Sequence, residues 1–214
     1  CIICMTGKLL IARHHESEWN KKGLWTGTRN VTLTPYGFQK SADMGQAIQG
    51  IPIDNAFSSM QVRTIETLAC MLMALELHDV PVEHARELNE RDYGDYTGKN
   101  KWDMKALVGE VEFDRMRREW DYPIPHGETL KMVYARVIPF YQKAILPLLA
   151  AGKNVLVVAH GNSLRALMAY IETIAPEGVK NIEMLFGSII IYDVDQEGRM
   201  TGKEVRQIAS EVPA

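Results

Sequence analysis

Two histidines in this chain each follow an apolar run: Leu9-Leu10-Ile11-Ala12-Arg13-His14 and Val155-Leu156-Val157-Val158-Ala159-His160, the second continuing into Gly161-Asn162-Ser163. Such runs read as buried strands, and the carboxyl ends of strands are where open α/β sheets bind ligands. If the two strands are neighbours, the imidazoles face each other across a site. One imidazole is a competent nucleophile toward phosphorus, and a second can share the charge of a migrating phosphoryl group. The pair therefore suits phosphoryl transfer through a phosphohistidine. That reaction needs donors fixed in advance, because charge spreads over three equatorial oxygens. Arg13, Arg63 in the helix after Ser58-Ser59, and the backbone amides around Gly161 and Asn162 at a helix start could supply them. A charge-assisted hydrogen bond is worth about 1.5–3 kcal/mol and a helix dipole about 0.3–1 kcal/mol, so the side chains matter more. Each residue alone also fits a structural role, as a satisfied histidine or a solvated arginine. Their joint occurrence at strand ends is what favours chemistry. The G-x-x-x-x-G-K-S/T and G-x-G-x-x-G phosphate loops are missing, which argues against nucleotide binding by those routes.

The elements that must position these residues alternate along the chain. Thr34-Pro35 is an N-cap followed by proline in the first turn, opening a helix to about Gln49. A short strand is expected at Asp54 to Ser58, and a helix at Met60 to Leu77, where Ile65, Leu68, Leu72 and Leu75 recur at helical spacing. Another strand is expected at Val80 to Glu83. From Leu88 to Pro125 the chain is polar, charged and aromatic, an excursion long enough to cover a site. Helical pattern resumes from Thr129 to about Leu149, with Pro139 and Pro147 expected to bend or end it. The second apolar strand, a helix bearing Leu164, Leu167, Met168 and Ile171, and a last strand at Ser188 to Val194 follow. This alternation implies an α/β fold, a three-layer αβα sandwich with a mainly parallel sheet and helices on both faces. One domain over residues 1–214 is expected, with 195–214 as a C-terminal tail.

Composition sets the outer bounds. The 214 residues are 46% hydrophobic and 24% charged, ordinary for a globular enzyme with a sizeable core. A formal charge of −3 argues against a general nucleic-acid or membrane-surface binder. No apolar stretch reaches the length of a membrane span. Cys1, Cys4 and Cys70 make no disulfide framework, and a reducing cytoplasm is the expected compartment. Met5 reads as a natural start, with residues 1–4 an extension, so the Cys1-x-x-Cys4 spacing is not favoured as a redox or metal motif.

Arg13-His14-His15-Glu16-Ser17-Glu18-Trp19-Asn20 resembles the R-H-G-E-S-x-W-N signature of the histidine phosphatase superfamily, specifically its cofactor-dependent phosphoglycerate mutases. Trp25-Thr26-Gly27, the Ser59 to Thr67 segment, LNERDYGDYTGKNK from Leu88, Arg117-Arg118, Gly127 to Leu130, and HGNSLRAL from His160 extend the likeness over about Leu9 to Val194. The resemblance implies a phosphoglycerate mutase-like fold. His14 would be the phosphorylated nucleophile, with Arg13, Arg63 and His160 holding the phosphoryl group and Glu90 acting as general acid/base. It also implies that Asn20, Thr26, Gly27, Arg91, Tyr93, Lys101, Arg117, Arg118, Gly161 and Asn162 bind substrate or line the phosphohistidine pocket. The reaction implied is interconversion of 2- and 3-phosphoglycerate, primed by 2,3-bisphosphoglycerate and needing no metal. Small phosphoglycerates are the expected partners, no nucleic acid or membrane is expected, and a homo-oligomer stays open.

A bisphosphate that reorients between half-reactions needs a closed, water-poor pocket. The Leu88 to Pro125 excursion is its expected wall, and the tail after Asp195 is expected to help close it. Three positions depart from the mutase pattern. His15 stands for glycine, Thr28 for tryptophan, and Phe186-Gly187-Ser188 for Thr-Gly-Val. If position 15 needs positive φ, a side chain there costs about 1 kcal/mol or more. A phosphatase of the same superfamily acting on a small phosphorylated metabolite is the nearest alternative. A non-enzymatic anion binder and a metal site built from His14, His15, Glu18 and His160 follow behind. For Arg117-Arg118, a solvated helix face pairing with Glu112 or Asp114 is the structural alternative.

Overall fold

A computed structural model describes residues 6–211. In chain order the elements are β1 (Lys8–Arg13), α1 (Glu18–Lys21), α2 (Pro35–Ala47), β2 (Asn55–Ser59), α3 (Val62–Ala74), β3 (Val82–Ala85), α4 (Lys101–Val108), α5 (Glu110–Arg118), α6 (Leu130–Phe140), α7 (Leu146–Ala150), β4 (Val155–Ala159), α8 (Gly161–Ile171), β5 (Ser188–Val194) and β6 (Met200–Gln207). The six strands form one sheet in the order β3-β2-β4-β1-β5-β6. The four strands from β3 to β1 run parallel, β5 runs antiparallel to β1, and β6 antiparallel to β5. This is the mainly parallel, helix-covered sheet expected from the alternation.

The apolar runs of β1 and β4 are continuous because both faces of the sheet are covered. Leu9, Ile11, Val155 and Val157 pack on the side of α6 and α8, while Leu10, Ala12, Leu156 and Val158 pack on the side of α2 and α3. The two strands are parallel neighbours with Arg13 opposite Ala159, so His14 and His160 leave the sheet side by side.

Several boundaries differ from the sequence reading for identifiable reasons. The helix expected from Thr129 to Leu149 is α6, a π-helical turn at Tyr141–Ile145, and α7. Pro139 lies inside α6 and Pro147 in the first turn of α7, so the irregular turn falls between them, where the ladder lacks proline N–H donors. The Leu88 to Pro125 excursion contains α4 and α5, short helices packed with Trp25 around Phe113 and Met116 in a small core of their own.

Part of the expected tail is regular structure. Met200–Gln207 forms β6 along the outer edge of the sheet, hydrogen-bonded to β5, and its last side chain, Gln207, donates to Phe186 O at 2.9 Å. Its side chains are mostly exposed, so it has no apolar run to announce it, and Lys203, Glu204 and Arg206 keep the edge charged. The extension assigned to residues 1–4, with Cys1 and Cys4, lies outside the described residues. No helix among the described residues is long and apolar enough to cross a membrane.

Candidate active site

At the carboxyl ends of β1 and β4, the His14 N–H donates to Ala159 O at 3.0 Å, and the rings of His14 and His160 meet edge-on with centroids 5.0 Å apart. Both rings are buried. His14 Nδ1 lies 2.7 Å from His15 O, and a carbonyl can only accept, so the proton sits on Nδ1 and Nε2 presents a lone pair. Arg63 Nε donates to that Nε2 at 3.3 Å, while Nη1 and Nη2 donate to Arg29 O and Gly27 O. Burial first, then the nearby Arg63 charge, holds both His14 and His160 well below the ordinary imidazole range, so both are neutral at pH 7. Burial also lowers Arg13 and Arg63 to about 10, which leaves them cationic.

The segment after β1 is held from below. Thr34 caps α2, its N–H donates to Glu16 O, and its hydroxyl donates to Glu16 Oε1 at 2.7 Å. A Cβ on Gly37 would lie 2.1 Å from Glu16 O, so only glycine lets α2 approach this closely. Ser17 and Asn20 form a reciprocal capping box for α1, which fixes Asn20 at the cavity.

One cavity collects Arg13, His14, Asn20, Thr26, Gly27, Arg63, Glu90, Tyr93, Lys101, Arg117, Gly161 and Asn162. Glu90 Oε1 accepts from the backbone N–H groups of Arg91 (2.8 Å) and Asn162 (3.2 Å), which ties the carboxylate to the first turn of α8. Asn162 Nδ2 donates to the Tyr93 hydroxyl at 2.9 Å. Burial, and then Arg13 and Arg117, lowers Lys101 to about 8. Neither Lys101 nor Arg117 has a carboxylate partner among the described residues, although Arg117 lies over the Phe113 ring, 5.4 Å from its centroid. Five buried polar atoms around the histidines have no hydrogen-bond partner among the described residues: Arg13 Nε, His15 Nε2, Trp25 Nε1, Thr26 Oγ1 and His160 Nδ1. Unpaired buried donors beside unpaired cations are what an anionic ligand would satisfy.

Three of the residues singled out from the sequence stand elsewhere. His160 lies behind His14 rather than on the cavity wall, with Nε2 2.7 Å from Ser59 Oγ. Arg91 is fully buried and donates to Glu128 O, Met116 O and Tyr122 O, so it ties the excursion together instead of facing the cavity. Arg118 turns outward to Glu183 at 2.8 Å and to Lys180 O. Adjacent arginines on a helix diverge by about 100°, so Arg117 and Arg118 cannot both face one cavity without the helix turning. The helical pairing with Glu112, the structural alternative for Arg117-Arg118, is made by Arg115, which also pairs with Glu119.

Of the departures, His15 does not have positive φ, so the backbone strain considered for it does not arise. Its Nδ1 accepts from the Glu16 N–H at 2.9 Å, and its ring packs against Tyr36 and Phe186. Thr28 borders a separate surface depression.

Sequence reasoning missed three contributors. Gln61 bridges Gly27 O and the Glu90 N–H. Ser59 links His160 to Thr64. Arg165 lines the cavity and donates to Asn162 Oδ1 at 2.7 Å, and its helical i+3 spacing from Asn162 was the available signal. No cluster of potential metal ligands occurs among the described residues, and His15 and Glu18 do not join His14 and His160 in one.

The profile of the histidine phosphatase superfamily (branch 1) matches residues 9–204. The chain belongs to the histidine phosphatase superfamily. A protein of Parvibaculum lavamentivorans named 2,3-bisphosphoglycerate-dependent phosphoglycerate mutase is 40% identical over 203 residues, 94% of this chain and 97% of that protein. One of the same name from Bradyrhizobium diazoefficiens is 41% identical over 197 residues, 91% and 95% of the two chains. Among solved structures, the fold is shared with Bacillus stearothermophilus YhfR (TM-score 0.79, 24% identity, 91% and 94% covered). It is also shared with phosphoglycerate mutase from Bacillus anthracis (TM-score 0.70, 20% identity, 96% and 94% covered). The Shigella flexneri alpha-ribazole phosphatase has it too (TM-score 0.76, 24% identity, 95% and 96% covered). As a histidine phosphatase superfamily member this chain is an enzyme, and its cavity is the candidate active site.

Proposed function

We propose that this enzyme interconverts 2- and 3-phosphoglycerate through a phosphohistidine at His14, primed by 2,3-bisphosphoglycerate. The observation that carries the reading is the pair of unpaired cations, Lys101 and Arg117, in the same cavity as the His14 nucleophile. A mutase substrate presents a second anionic group that is not transferred, and these side chains would hold it. The names of the relatives at about 40% identity support the same reading.

His14 Nε2 attacks phosphorus with its lone pair, and the bond from phosphorus to the substrate oxygen breaks. Glu90, protonated, gives its proton to that oxygen as it leaves. Arg13 and Arg63 donate to the equatorial oxygens. His160, held through Nε2 by Ser59 Oγ at 2.7 Å, keeps its ring edge-on to His14 and fixes the nucleophile's orientation. In the reverse half, ionised Glu90 takes the proton of a substrate hydroxyl as that oxygen attacks phosphorus and the bond to His14 breaks. The excursion, with Trp25 and Tyr93, walls the cavity against water, which would otherwise hydrolyse the phosphohistidine.

One observation favours a second reading, hydrolysis of a small phosphorylated metabolite: Arg118 is engaged by Glu183, which leaves fewer cations for the second anionic group. Incubation with 2,3-bisphosphoglycerate is expected to give an acid-labile phosphoenzyme that isomerises 3-phosphoglycerate faster than it releases phosphate. His14→Ala should abolish the phosphoenzyme and His15→Ala should keep it. Faster phosphate release than isomerisation would select hydrolysis, and a phosphorylated His14→Ala variant would overturn the nucleophile.

A further inference from the structure

Arg13 is held by one short segment of chain. Its Nη1 donates to Met184 O at 3.0 Å, and two residues on, the Phe186 ring lies against the guanidinium with Cζ 3.7 Å from the ring centroid. Phe186 is only 3% exposed. The same ring meets His14 edge-on at 6.0 Å between centroids, and His15 packs against it at 5.7 Å, itself backed by Tyr36 at 5.5 Å. Two of the three departures from the signature, His15 and Phe186, are thus in contact and form one aromatic buttress behind Arg13. A glycine at position 15 would leave the ring without that backing.

No carboxylate hydrogen-bonds the Arg13 guanidinium among the described residues, so its orientation depends on the Met184 carbonyl and the Phe186 face. The carbonyl fixes the guanidinium within its plane, and the ring fixes its tilt. A Cβ on Gly161 would stand 3.7 Å from Arg13 Cζ and 3.9 Å from Glu90 Oε2, so glycine keeps open the space beside both groups.

We propose that Phe186 is a positioning residue for phosphoryl transfer: its ring sets the tilt of the Arg13 guanidinium, so that the unpartnered Nε is held for the phosphoryl group transferred at His14. This rests on reading His14 as the phosphoryl carrier, and it does not require the mutase outcome. A flat ring suits a planar cation, and an aliphatic residue of similar volume fills the space without setting the tilt. Phe186 acts through Arg13 and touches no reacting atom.

The test is a double-mutant cycle of Phe186→Leu and Arg13→Lys, read on the first-turnover burst of p-nitrophenolate from p-nitrophenyl phosphate, with thermal melts alongside. That substrate requires transfer to His14 and no isomerisation, so failure of the mutase reading leaves the cycle intact. A His14→Ala control that still turned over would instead overturn the carrier on which the proposal rests. Phe186→Leu is expected to lower the burst rate constant about 10-fold with its half-saturating substrate concentration changed less than about threefold, and Phe186→Tyr to retain the wild-type burst rate. In the Arg13→Lys background, Phe186→Leu should cost less than about threefold, because the planar group it positions is already gone. Multiplicative losses, or a folded Phe186→Leu variant with a wild-type burst rate, would overturn the proposal. If Phe186→Leu does not fold, Phe186→Met takes its place in the cycle with the same expectations.

Discussion

Glu90 illustrates how two backbone donors can hold a carboxylate at a reacting centre. The Arg91 and Asn162 amides both reach Oε1, which leaves Oε2 on the side kept open by Gly161. Under the proposed mechanism, Glu90→Gln keeps the shape and loses the proton. Isomerisation is expected to fall about 10²–10⁴-fold, the usual contribution of a positioned acid/base. Phosphoenzyme formation from p-nitrophenyl phosphate, whose leaving group needs no proton, should fall far less, and rapid-quench comparison of the two donors measures the difference. An equal loss with both would mean that Glu90 acts by placement rather than by proton transfer. The two histidines of the signature also separate at this scale. His14 directs its lone pair at Arg63, whereas His15 spends its acceptor on the Glu16 amide and its ring on Phe186. Their order in the motif pointed to this distinction, and the hydrogen bonds supply the physical basis.

Elements carry the site by tying irregular chain to the sheet. Arg91 does this for the excursion, reaching three carbonyls from three segments. Its place in the Leu88 to Lys101 block made it resemble a ligand-binding residue, because a motif records that an arginine is required and not which way it points. Arg91→Ala leaves those carbonyls unsatisfied and is expected to cost about 3 kcal/mol or more of stability, measured by urea denaturation, with faster amide exchange across α4 and α5. A substrate-binding arginine would instead raise KM and leave stability nearly unchanged. β6 shows the opposite kind of invisibility. Its pairing with β5 is made by backbone groups, so the side chains are free to be charged and no period of two appears in the sequence.

Across the whole molecule, three neutral histidines are held inside the fold. Burial lowers His14 and His160 well below 6.5 and, with Lys40 and Arg13 nearby, lowers His15 to about 4. The unfolded chain binds protons at these groups near pH 6.5 and the folded chain does not, so their contribution is fully present above pH 6.5 and is lost as pH falls toward 4. Thermal melts are expected to drop by several degrees between pH 7 and pH 5. His15→Asn, which keeps an acceptor for the Glu16 amide and does not titrate, should shrink the drop. An unchanged drop in that variant would mean that His15 does not contribute to it.

The sequence by itself determined the α/β alternation, the two buried strands with a histidine after each, and most of the residues gathered in the cavity. Those features are written in local hydrophobic pattern and in side-chain types that must recur for the chemistry. Only the tertiary structure decided that β1 and β4 are neighbours in register and that Arg117 faces the cavity while Arg118 pairs with Glu183. Only there do His15 and Phe186, 171 positions apart, meet behind Arg13. Direction of a side chain and contact between distant segments depend on how strands pair and helices pack, and a linear pattern of residue types does not encode either.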